Sequence, residues 1–173
     1  SKQFERSFKK AGIKVMTSAS VESVDTSGKK IKASVKTKKG EEILEAEIVL
    51  SAVGIKSNLE NIGLEEVGIV VDRDKILVND WYQTNIPGYY AIGDITPGPA
   101  LAHVASAEGI TCIEKIKGMH IESIDYGNIP GCTYATPEIA SVGFTEKQAI
   151  EAGYELKIGK FPFSASGKAR AAG

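Results

Sequence analysis

Apolar and polar positions change period several times along the chain. Phe4 and Phe8 stand four residues apart, so both occupy one face of a predicted short helix, and Gly12 follows as a residue able to close it in the left-handed conformation. The period then falls to two. Residues 13–16, 21–25, 31–36 and 42–46 alternate apolar with polar, and Ser27-Gly28 and Lys39-Gly40 supply turns, which predicts short strands in an antiparallel meander with one wet face. Residues 48–54 are almost continuously apolar and end on Gly54, which predicts a strand buried on both faces.

Beyond this run, residues 57–60 begin a brief helical or turn segment, and residues 69–72 and 76–78 are strand candidates either side of Asp72-Arg73-Asp74. Tyr89-Tyr90-Ala91-Ile92-Gly93-Asp94 then reads as a strand that delivers a carboxylate to its end. Residues 100–117 place Leu101, Val104, Ala105, Cys112, Ile113 and Ile116 near one helical face, with Gly118 as terminator. Gly109 inside that helix costs about 1 kcal/mol relative to alanine, which predicts close packing against another backbone. The Gly, Asn and Pro residues of 125–131 predict a linker with a new unit after it. Strands are expected over 132–135, 139–144 and 154–163. The T-x-x-Q spacing of Thr145-Glu146-Lys147-Gln148 predicts a capped helix ending near Gly153, and residues 164–173 show no evident stop.

Composition narrows the class. A chain of 173 residues with 42% hydrophobic and 25% charged residues has the composition of a soluble globular protein, the elements above make it mixed α/β, and its apolar runs are far too short for a spanning helix. A net charge of −1 predicts no affinity for nucleic acid, and Lys29, Lys30, Lys32, Lys36, Lys38 and Lys39 are expected on the solvated side of a hairpin. The two cysteines, Cys112 and Cys132, form neither a CxxC pair nor a zinc knuckle and are expected as buried packing residues. With only His103 and His120, a multi-histidine metal site is excluded. Trp81 and the tyrosines are expected as core and cover. The first residues form no signal peptide, so a cytoplasmic setting is expected, or a mitochondrial matrix in a eukaryote. The chain opens on Ser1 with an amphipathic segment, as expected of a piece of a longer protein.

The chemistry centres on Gly93-Asp94 and the helix start after it. A strand-end aspartate can accept hydrogen bonds from sugar hydroxyls, and a helix N-terminus offers free N–H groups to electron-rich ligand atoms. Strand, Gly, Asp is equally an ordinary strand exit.

Several motifs occur in order around it: Val49-Leu50-Ser51-Ala52-Val53-Gly54-Ile55-Lys56-Ser57-Asn58, Thr84-Asn85-Ile86-Pro87-Gly88 leading into Tyr89-Tyr90-Ala91-Ile92-Gly93-Asp94, Leu101-Ala102-His103, Tyr134-Ala135-Thr136-Pro137-Glu138-Ile139-Ala140-Ser141-Val142-Gly143 and Phe161-Pro162-Phe163-Ser164-Ala165-Ser166-Gly167-Lys168-Ala169. Together they resemble the flavoprotein disulfide reductases, over essentially the whole chain, and most closely the branch that oxidises dihydrolipoamide. Glutathione-type members usually carry Leu-Thr-Pro where this chain has Leu-Ala-His. Thr136 departs from the histidine that many relatives place before Pro-Glu.

The resemblance implies a partial two-dinucleotide-domain flavoprotein: residues 1–52 ending an NAD-binding domain, 53–126 returning into an FAD-binding domain, and 127–173 starting an interface domain. It implies FAD and NAD as cofactors, with Gly93 and Asp94 at the ribitol, Ala100, Leu101, Ala102 and His103 along the flavin ring, Gly54 close to NAD, and Val21 at the adenine side. For Val21 an inward strand position is an equal alternative. The family uses mainly backbone at His103, so proton chemistry is not expected of its imidazole. A homodimer is implied, serving lipoyl domains of 2-oxo acid dehydrogenase or glycine cleavage complexes. No two glycines are spaced G-x-G, and the family's CxxxxC redox-active disulfide and C-terminal His-Glu pair are missing, so the chain is expected to hold no catalytic residue and to be inert alone. A mercuric reductase or transhydrogenase type of parent, or a non-enzymatic interaction module, are the alternatives.

Overall fold

A computed structural model describes residues 2–172. It divides into two compact units, residues 2–124 with 133–139, and residues 125–132 with 140–172.

The first unit opens with helix α1 (Lys2–Lys10), on which Phe4 and Phe8 stack with ring centroids 5.6 Å apart. Gly12 closes it at φ 77°, with the Ile13 amide donating to Phe8 O at 2.9 Å, the long-range bond of a glycine-closed helix end. Residues 13–16, expected as a strand, are not one. No neighbour offers them a ladder, and Lys14 instead pairs with Glu42 at 2.5 Å.

Strands β1 (Ser20–Asp25), β2 (Ile31–Thr37) and β3 (Gly40–Ala46) form the expected antiparallel meander in the order β1-β2-β3. Residues opposite each other share a face. Val21, Val35 and Glu42 align, as do Val24, Ala33 and Leu44, while Asp25, Lys32 and Glu45 align on the other side. Val21 and Val24, an odd number of residues apart, reach the same face because the β1 register shifts between Val21 and Ser23. Only Val35 is buried, and Val21 is 61% exposed. The lysines of the hairpin are all exposed, as expected.

Residues 48–54 overturn the expected doubly buried strand: they form no strand, and Leu50 and Val53 are 86% and 95% exposed. Among the described residues no strand lies alongside to satisfy their backbone. The brief helix comes later than expected, as α2 (Leu64–Val67), bounded by Gly63 and Gly68 in left-handed conformations. Strands β4 (Val71–Asp72) and β5 (Lys75–Ile76) make a short hairpin turned at Arg73, φ 57°. The strand expected over Tyr89–Ile92 reduces to one bridge, Gln83 to Tyr90, because Tyr82 at φ 64° interrupts the partner segment.

Helix α3 (Ala102–Ile116) buries Val104, Glu108 and Cys112, which are four residues apart and so lie in one stripe. Ile113 and Ile116, expected on that face, are exposed. Gly109 does mark a close approach, to a side chain rather than a backbone: a Cβ there would stand 3.2 Å from Ile92 Cδ1. Trp81 is half-buried beneath Lys115, whose Nζ lies 4.0 Å from its ring centroid, and Tyr82 is buried. The other five tyrosines are exposed, and so is Cys132, against expectation.

Strands β6 (Gly131–Thr133) and β7 (Ile139–Ser141) pair, shorter than the segments expected. In the second unit, helix α4 (Glu146–Glu151) carries the expected capping box between Thr145 and Gln148 and closes at Gly153, φ 85°. Residues 154–163 form no strand. Residues 167–172 form a helix, α5 (Gly167–Ala172), which the sequence reading missed although Ser166 Oγ accepts from the Ala169 amide at 3.3 Å, an N-cap bond.

Thr145→Ala is expected to weaken the start of α4 by about 1 kcal/mol. Amide hydrogen exchange over residues 146–151 checks this, and unchanged protection contradicts it.

Candidate functional site

The backbone of Gly93 and Asp94 is held by two other parts of the chain. Residues Gly93–Ile95 form a single 3-10 turn, with Thr96 closing it through its amide and its hydroxyl, 2.9 and 2.8 Å from Gly93 O. Gly93 has φ 75°, and a Cβ there would meet Ala105 Cβ at 3.3 Å, so both conformation and space call for glycine. From the α3 side, Glu108, 2% exposed, accepts the Gly93 amide at 2.6 Å through Oε2.

From the other side come Ser57 and the β4–β5 hairpin. Lys75 Nζ donates to Asp94 O at 2.5 Å and to Ser57 Oγ at 2.9 Å, and Ser57 Oγ donates in turn to Asp94 O at 3.1 Å. The Ser57 amide donates to Asp74 Oδ2 at 3.0 Å, and the same oxygen lies 3.8 Å from Lys75 Nζ. Asp74 is held below the usual carboxylate range, first by the Ser57 amide and then by the charges of Lys75 and Lys56.

Every bond that reaches Gly93 or Asp94 goes to backbone. The Asp94 side chain is exposed and has no hydrogen bond or ion pair among the described residues, so its oxygens are free to accept. Helix α3 begins nearby in the chain and packs on the Asp94 turn. Leu101, its N-cap, is extended and has no side-chain cap. Its carbonyl accepts from Val104 and Ala105, both at 3.0 Å, and the Ala102 and His103 amides have no partner among the described residues. Negative charge placed at such a helix start gains roughly 0.3–2 kcal/mol.

The structure therefore brings Gly93 and Asp94 together with the beginning of α3, where Ala100, Leu101, Ala102 and His103 follow one another. Leu101 is half-buried, and Ala100, Ala102 and His103 are exposed. Gly54, φ 116° and exposed, lies three residues before Ser57 on the segment that reaches the Asp94 carbonyl. Val21 is elsewhere, paired with Val35 in the meander. Sequence reading missed Ser57, Asp74, Lys75 and Glu108. A signal existed for Glu108, a carboxylate in the middle of the Val104-to-Cys112 stripe. Ser57 lies within the motif of residues 49–58 without a role having been read for it, and nothing marked Asp74 or Lys75, since these contacts span 17, 19 and 37 residues.

Other chemistry is sparse. Among the described residues no three His, Cys, Asp or Glu side chains cluster as metal ligands. Burial pushes the Cys112 thiol up from its ordinary value, away from the thiolate. An open pocket of about 470 Å³ beside Ser57 and Asp74 mixes Lys56 and Arg73 with Glu60 and Glu65, so it presents no single charge to a ligand.

Comparison with known proteins gives two family matches. Residues 1–109 match the family described as pyridine nucleotide-disulphide oxidoreductase, and residues 129–173 its dimerisation domain. The dihydrolipoyl dehydrogenase of Rhizobium etli is 43% identical over 170 residues, covering 97% of this chain and 35% of the relative. Leghemoglobin reductase of Glycine max is 43% identical over 173 residues, covering 98% of this chain and 33% of the relative. The chain thus spans about a third of the length of the curated relatives it matches. In structure it superposes on LpdA of Mycobacterium tuberculosis with a TM-score of 0.88 at 24% identity, over 98% of this chain and 37% of that one, a likeness of fold.

The lowered Asp74 has a consequence for stability. Folding favours its ionised form, so this contribution is complete above the ordinary aspartate range and is lost as pH falls through the lowered value. Asp74→Asn is expected to be less stable than the parent at about pH 6, with the gap closing towards about pH 3. Urea unfolding at both values checks this, and a gap independent of pH contradicts it.

Proposed function

Because the chain belongs to the pyridine nucleotide-disulphide oxidoreductase family, we propose that it is the cofactor-holding part of an FAD-dependent dihydrolipoyl dehydrogenase that uses NAD. The observation that carries this is the Asp94 carboxylate, unpaired on a backbone fixed from both sides, followed by two open amides at the start of α3. That set fits a flavin. A free carboxylate accepts ribitol hydroxyls, and open amides at a positive helix end suit the pyrimidine edge of the ring, where charge grows on reduction.

FAD, when bound, supplies electron transfer between a dithiol and NAD. This chain's residues bind and orient it: Asp94 at the ribitol, with Gly93 allowing the turn, and the backbone of Ala100, Leu101, Ala102 and His103 along the ring. Gly54 lets backbone approach NAD, and Val21 lies on the adenine side. In this reading residues 1–52 end the NAD domain, 53–126 belong to the FAD domain, and 127–173 begin the interface domain of a homodimer. The reading is supported for the dimer by the dimerisation-domain match. Lipoyl domains of 2-oxo acid dehydrogenase or glycine cleavage complexes are the electron source. The setting is cytoplasm or mitochondrial matrix, in keeping with bacterial and plant mitochondrial relatives.

In the full-length enzyme, Asp94→Ala is expected to weaken flavin binding by about 1.5–3 kcal/mol, the usual loss for a hydrogen bond to a charged group. Flavin affinity equal to the parent's overturns the assignment of Asp94. The 173-residue chain alone is expected to form no NADH from dihydrolipoamide, since it carries neither a CxxxxC pair nor a G-x-G dinucleotide fingerprint. Steady turnover by the chain would contradict that.

A further inference from the structure

Lys75 has no part in the reading above, yet its ammonium is committed to the Asp94 peptide. Its side chain is 26% exposed, and two of its donors go to Asp94 O and Ser57 Oγ while Asp74 Oδ2 stands 3.8 Å away. An ammonium so close to an aspartate would ordinarily pair with its carboxylate. Here it takes the carbonyl of Asp94 instead, and no ion pair joins it to the Asp94 side chain among the described residues. Asp74 supplies a counter-charge 3.8 Å away, and Ser57 bridges the ammonium to the same carbonyl.

We propose that Lys75, seated by Ser57 and Asp74, is a positioning residue that aims the Asp94 carboxylate at the flavin while leaving it unneutralised. The inference rests on the reading of Asp94 as the ribitol-binding group. Its physical basis is the opposition of two charge-assisted bonds on consecutive residues: Glu108 pulls on the Gly93 amide and Lys75 on the Asp94 carbonyl. Between them the backbone of the turn has little freedom, so the carboxylate is presented in one place. Were Lys75 to pair with the carboxylate itself, it would compete with sugar hydroxyls for the same oxygens. Were it absent, the carbonyl would keep only the Ser57 hydroxyl, and Asp74 would lose its nearest cation.

The test is a double-mutant cycle on flavin affinity in the full-length protein, measured by reconstituting apoprotein with FAD. Lys75→Met is expected to raise the flavin dissociation constant about tenfold, and Lys75→Arg, which keeps a cation, by less than about threefold. In an Asp94→Ala background Lys75→Met is expected to add less than about twofold, because Lys75 acts through Asp94. A purely structural role predicts independent, additive losses, and that result overturns the proposal. So does a parent-like affinity in Lys75→Met when Asp94→Ala is weakened. An unaltered affinity in Asp94→Ala removes the ribitol reading and the proposal with it, a result distinct from the previous two. Should Lys75→Met not fold, Ser57→Ala replaces it in the cycle, with a loss of about threefold expected and the same dependence on Asp94.

Discussion

The hydrogen bonds that converge on the backbone of Gly93 and Asp94 are the constraint on which the first unit's organisation around the site depends. Glu108 brings α3 to the turn, and Lys75 with Ser57 brings the β4–β5 hairpin and the segment after Gly54. Three segments far apart in sequence therefore meet at two backbone groups. A buried carboxylate such as Glu108 is costly unless its oxygens are bonded, and the Gly93 amide is one of the partners that make its burial tolerable. The arrangement spends charged side chains on the backbone and keeps the one acidic side chain of the turn free. That distribution suits the flavin site proposed above, whereas a turn that only had to be stable could have paired Asp94 with Lys75 directly.

Around this clamp the apolar core is small. Ile76, Tyr82, Ala91, Val104 and Cys112 are buried in the first unit beyond the meander, where Val35 alone is buried. The accessible surface is 14234 Å². One compact body of this mass, or two sharing it, would expose roughly 8,000–10,000 Å². Much of the surplus is apolar: Ile48, Leu50, Val53, Tyr134 and Phe163 are each more than 80% exposed. With so few residues buried, polar contacts rather than a deep core organise the site.

Where local chemistry was sufficient, the sequence could be read directly. The Phe4–Phe8 pair, the glycine closures at Gly12, Gly118 and Gly153, the Thr145–Gln148 capping box and the three strands of the meander all depend on residues within a few positions of one another or on a period of two. Family membership was legible for a different reason: ordered motifs along the chain carry it without any geometry. The misses share one cause. Residues 13–16, 48–54 and 154–163 have the composition of strands, but a strand exists only where another backbone satisfies its hydrogen bonds, and no local pattern supplies one. Ile113 and Ile116 failed similarly, since α3 turns Val104, Glu108 and Cys112 inward and a helix cannot bury every face against so small a core.

By itself the sequence determined that a carboxylate follows Gly93 and precedes a helix, because residue identity and order are enough for that. Whether the carboxylate would be free was not determined. Lys75 lies 19 residues away and could equally have neutralised it. Only the tertiary structure decided that the ammonium goes to the Asp94 carbonyl, because only there do Ser57 and Asp74 come together beside Lys75 to seat it.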